Sequence, residues 1–86
     1  MTESFGSLAE VRAALALVAE SLAIALRHAG AARARIDDAV AELDALGEHR
    51  EPLVPPELRL ASAELDRSLA LISGGQLAVA DLDARL

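Results

Sequence analysis

Gly47-Glu48-His49-Arg50-Glu51-Pro52-Leu53-Val54-Pro55-Pro56 holds all three prolines of the chain and one of its glycines within ten residues. Proline removes a backbone donor and clashes with the preceding turn, so a helix cannot run through this stretch. On both sides of it the apolar residues recur at helical spacing. The stretch therefore separates two helices, and the chain reads as a hairpin rather than as one long rod.

Working back from Gly47, one apolar row is Leu8, Leu15, Leu22, Ala29, Ile36 and Leu43, and a second is Val11, Val18, Ala25, Ala32, Ala39 and Leu46. Steps of three and four kept over more than five repeats make a heptad seam. Ser7-Leu8-Ala9-Glu10 is a capping box, in which hydroxyl and carboxylate each accept from the other residue's N–H. The spacing predicts helix 1 over about 8–46, roughly 58 Å at 1.5 Å per residue. Residues 1–6 form its lead-in, and Gly47 suits the position just past its end.

Working forward, Pro55 or Pro56 suits a first helical turn, and Glu57 there complements the helix dipole. Leu58, Leu65, Ile72, Val79 and Leu86 then follow at strict seven-residue spacing, giving helix 2 over about 56–84. Gly74-Gly75 interrupts this row, although each glycine costs roughly 1 kcal/mol against alanine in a helix. The phase is the same before and after the pair, which predicts a continuous helix. A helix end followed by a short extra turn over 76–86 is the alternative. If the hairpin folds about the centre of its loop, Gly74 and Gly75 fall across from Ala29 and Gly30, and small residues there allow close backbone approach. The fold class is all-α: residues 1–86 form a single antiparallel two-helix hairpin with a Pro-rich loop at 47–55, expected to dimerise into a four-helix bundle.

Such a hairpin leaves apolar surface over. Helix 1 exceeds helix 2 by about two turns, which leaves Leu8, Val11 and the level of Leu15 without a partner. Leu17 and Ile24 lie roughly 100° around from the nearer row, so the apolar arc of residues 13–26 is wider than one partner helix covers. Leu26 and Val40 widen it on the other flank. Leu8, Val11, Leu15, Leu17, Val18, Leu22, Ile24 and Leu26 are thus the candidate interface, with a second copy of the chain or another helical protein as partner. An adaptor, chaperone or immunity protein that docks its partner on this face of helix 1 is the alternative to self-association.

Composition narrows the function classes further. There is no cysteine, Trp or Tyr, one Phe, and no Lys among the eight basic residues. The net charge of −6 argues against a nucleic-acid partner, which requires a basic footprint. Between residues 37 and 57, seven acids (among them Asp37, Asp38, Glu42, Asp44 and Glu48) face Arg50 alone, so the whole net charge sits at the hairpin tip. Arg27, His28, Arg33 and Arg35 make a basic band in mid-helix. The longest apolar run, Ala13–Leu26, contains Glu20 and falls short of the ~20 residues of a membrane span. It also lacks the pattern of a signal peptide, so a cytoplasmic chain is expected. Asp38 and Glu42 stand four apart, but a carboxylate-bundle metal site needs Glu-x-x-His spacing, and position 45 is Ala. No catalytic, metal or cofactor site is expected.

The opening Ser7-Leu8-Ala9-Glu10-Val11-Arg12-Ala13-Ala14-Leu15, with the Ala/Leu hairpin and the apolar C-terminal end, resembles a group of small actinobacterial helical proteins. The architecture is similar to the WXG superfamily of helical hairpins, which dimerise and serve as substrates of type VII secretion. The turn, Gly47-Glu48-His49-Arg50, has no Trp-x-Gly, and without Tyr there is no Tyr-x-x-x-acid export motif. The resemblance implies the hairpin and its dimerisation, and only through the superfamily an export route independent of a signal peptide. It assigns no site residue.

Overall fold

The computed structural model of the protein describes residues 7–47 and 53–86. It consists of two antiparallel helices, α1 (Leu8–Leu46) and α2 (Pro56–Arg85), packed side by side. The capping box forms: the Glu10 N–H donates to Ser7 Oγ at 3.1 Å and the Ser7 N–H to Glu10 Oε1 at 2.9 Å. Gly47 closes α1 at φ −85°, ψ 4°, its N–H donating to the Leu43 carbonyl at 2.9 Å. That conformation is open to any residue, so glycine is not required there. Pro56 takes the first position of α2, whose Leu58 N–H bonds to the Pro55 carbonyl at 3.0 Å. The lead-in 1–6 and loop residues 48–52, with Glu48 of the expected acidic tip, lie outside the described residues.

α2 runs unbroken through Gly74 and Gly75. The register differs from that of a loop folded about its centre. A Cβ built on Gly75 would lie 3.6 and 3.8 Å from the two Leu22 methyls. Gly75 therefore faces Leu22, one heptad from the Ala29 expected. Gly30 and Gly74 have nothing within 4 Å of their Cβ positions, and no close contact of small residues forms around them. Residues 53–55 are non-helical, and Val54 within them is the one buried hydrophobic residue described, 9% exposed. With Gly75 against Leu22, α2 reaches further toward the open end than a loop folded about its centre would bring it. Arg12 and Asp83 border one groove there, as do Leu15 and Val79, and α2 runs on to Arg85, so less of α1 overhangs than the two turns expected.

The seam also sits differently on α1. Leu15, Leu22, Ala29, Ile36 and Leu43 are half-buried as the central row. Beside them lie Leu26, Arg33, Val40 and Gly47, also half-buried. Of the expected second row only Ala25 and Ala39 are half-buried, whereas Val11, Val18, Ala32 and Leu46 are exposed. Turning Leu26 and Val40 inward buries more apolar area than turning alanines in, which is the favoured choice at about 25 cal/mol per Å². On α2 both flanks of the central row turn in. Ser62, Leu69 and Gln76 are half-buried on one side of Leu58, Leu65, Ile72 and Val79, and Ala61, Ser68 and Gly75 on the other. The second flank is small throughout, so α1 can lie close against it. Among the described residues, neither helix has a buried side chain. The radius of gyration is 20.0 Å, against about 12 Å for a compact chain of this length.

Candidate association surface

The two helices form a single layer with two broad faces. Arg12 and Ala19 of α1 and Gln76 and Asp83 of α2 line one shallow groove of about 310 Å³. All four belong to the rows four residues after the central ones, so those rows share a face. The same face carries the cross-helix ion pairs. Arg33 straddles Asp66, with Nε–H donating to Oδ1 at 2.7 Å and a terminal N–H to Oδ2 at 3.2 Å, while its other terminal nitrogen bonds Asp37. Arg59 comes within 3.7 Å of Asp44. The hydrogen bonds that Arg33 donates hold the Asp66 carboxyl below its ordinary value, and the same bonds raise Arg33 above its own.

The opposite face carries the rows three residues after the central ones. Toward the open end these are Val11, Val18 and Leu82, flanked by Leu71 and Ala78, all exposed. Leu17 and Ile24 extend this surface around the outer flank of α1, with Leu17 66% exposed. Toward the tip the same face carries small Ala32, Ala39, Ala61 and Ser68 between His28, Arg35, Glu42 and Glu64. Of the twelve exposed large hydrophobics described, nine lie in residues 8–24 or 71–86. The apolar surplus is concentrated at the open end.

Five of the eight expected interface residues, Leu8, Val11, Leu17, Val18 and Ile24, are exposed and grouped here. The other three, Leu15, Leu22 and Leu26, are half-buried on the side turned to α2, so the intramolecular seam uses them first. The α2 part of this surface, Leu71 and Leu82, is absent from the sequence-based expectation, while Leu77, 74% exposed, stands outside it on the Gln76 side of α2. The exposure of these leucines follows from lying off the Leu58–Val79 row, a signal present in the spacing. Arg33, expected in a free basic band, instead bridges the helices and leaves Arg27, His28 and Arg35 without an ion pair among the described residues. A charge four residues after Ala29, between Leu26 and Val40, marks it as a seam residue.

Asp37, Asp38, Glu42 and Asp44 line the last turns of α1, with Asp37 and Asp44 engaged by arginines. Among the described residues no three His, Asp or Glu side chains converge as metal ligands, and no helix is long and apolar enough to cross a membrane. Comparison with protein-family models, with curated proteins and with solved structures finds no match.

Proposed function

We propose that this chain is a non-enzymatic association module, a helical hairpin that pairs with a second copy of itself to complete a four-helix core. The observation that carries this reading is the surface of the single hairpin. It exposes 6387 Å², whereas a folded monomer of 8.9 kDa exposes about 4,800 Å². An excess of roughly a third is of the size that obligate partners remove from each other. The excess is apolar where it is concentrated, and each Leu or Ile covered contributes ~1.5–3 kcal/mol. A hairpin with neither a disulfide nor a packed interior lacks that stabilisation when alone.

Light-scattering mass over a dilution series, with circular dichroism on the same samples, tests the reading. A helical dimer that loses helicity on dissociation supports it. A helical monomer at all concentrations overturns it. Leu17 and Ile24 lie on the outer flank of α1, beyond the part of the face that a stacked hairpin covers best. This favours, as a second reading, an adaptor that holds a different helical partner there, and a poorly folded monomer or soluble aggregate is its expected signature. The resemblance to secreted hairpins offers one setting for either reading, as a secretion-associated protein.

A further inference from the structure

The placement of apolar surface and of charge bears on how the second copy lies, an inference that rests on the self-association proposed above. Two hairpins stack face to face in one of two senses. With the two-fold axis along the hairpin, open ends lie together and tips lie together. With the axis across the hairpin, the copies run in opposite directions. In both, every neighbouring helix pair is antiparallel, so helix dipoles do not discriminate. Charge does. Residues 37–57 carry a net −6, and the first sense sets two such tips within about a Debye length of each other, ~8 Å at physiological ionic strength. The second sets them far apart, where salt screens them completely.

The apolar surface then fixes the overlap. The exposed residues of α1 from Leu8 to Ile24 centre near Leu17, and those of α2 from Leu71 to Leu86 centre near Ala78. The two centres are level, because Leu15 and Ala19 of α1 border the same groove as Val79 and Gln76 of α2. We infer that the copies overlap open half on open half, about a two-fold axis at the level of Leu17 and Ala78, with the acidic tips projecting at opposite ends. This arrangement covers Val11, Val18, Leu71 and Leu82 with their counterparts. A full-length overlap would set them against the charged tip half of the partner.

The chain has no cysteine, so a single introduced one reports cleanly. Ala41 is exposed on α1 in the tip half. A spin label on Ala41→Cys should show an inter-copy distance of roughly 70 Å for open-half overlap, from about 24 residues either side of the axis at 1.5 Å each. A distance near ~40 Å means full-length antiparallel overlap, and one of about 20–30 Å means tips together. Either of these overturns the inference while leaving self-association standing. Absence of a dimer by light scattering removes both.

Discussion

The open half and the tip half of the hairpin are built from the same two helices on the same kind of seam, yet their outward surfaces differ. Near the tip, small residues and carboxylates cover most of the layer, with Leu46 and Leu60 exposed among them, and Arg33 and Arg59 tie the helices across it. Near the open end, Leu17 and Leu71 stand about two-thirds exposed, and the groove between the helices is lined by Ala16, Ala19 and Ala80. The inward pattern sets the hairpin, and the outward pattern concentrates the exposed apolar surface at the open end. Heptad periodicity alone does not distinguish the two halves.

The largest expected effect removes the seam that both halves share. Leu22→Asp puts a carboxylate against Gly75, and an unpaired charge in a half-buried position costs on the order of 3 kcal/mol. Loss of most helical circular dichroism at micromolar concentration is expected. Retained helicity would show that the halves do not depend on a common seam. Next, outward changes should separate the halves. Val18→Asp with Leu71→Asp should weaken association at least about a hundredfold, because two apolar contacts of ~1.5–3 kcal/mol each are lost. Leu46→Asp with Leu60→Asp, also exposed but near the tip, should leave the mass unchanged in light scattering.

A smaller effect concerns the glycine pair. Gly74→Ala meets open space and Gly75→Ala meets Leu22 at ordinary van der Waals distance, so each should stabilise by about 1 kcal/mol through helix propensity. Thermal melts of the two should rise alike, by a few degrees. Gly75→Leu extends into Leu22 and should lower the melt, and a rise would break the register. The smallest effect is at Arg33. Because Asp66 is held below its ordinary value of 3.8, its pairing stabilises the fold above that pH and is lost as pH falls through the lowered value. Arg33→Gln should reduce the melting difference between about pH 6 and about pH 3, and an unchanged difference would remove this pair from the account. Both groups are solvent-accessible, so the effect is that of a surface pair.

Much of this architecture can be read from the spacing. Ser7 and Glu10 declare the start of α1, the prolines declare the break, and the unbroken Leu58–Val79 phase declares that α2 passes through its glycines. The register is not legible there. A heptad pattern fits equally well when one helix slides by seven residues. For the same reason the spacing matches Gly75 to Ala29, although it meets Leu22. The flank of the seam is ambiguous in the sequence because alanines occupy much of one candidate row and Leu26, Arg33 and Val40 the other, and only packing weighs their sizes. On α2 the ambiguity resolves differently, since Leu69 on one flank and Ala61 and Ser68 on the other are all half-buried. The α1 half of the exposed apolar surface follows from the width of its apolar arc. The α2 half needs the register.

The antiparallel hairpin has a kinetic consequence. Contacts near the tip close a short loop, whereas bringing Arg12 and Asp83 to one groove closes nearly the whole chain. Closure entropy rises with loop length, so the hairpin forms from its tip and frays from its open end, where a second copy would bind. Association would then act as a clasp on the last-formed turns. Amide exchange in the first turns of α1 and the last turns of α2 should slow as protein concentration rises. Amides flanking the loop should exchange at a rate indifferent to it.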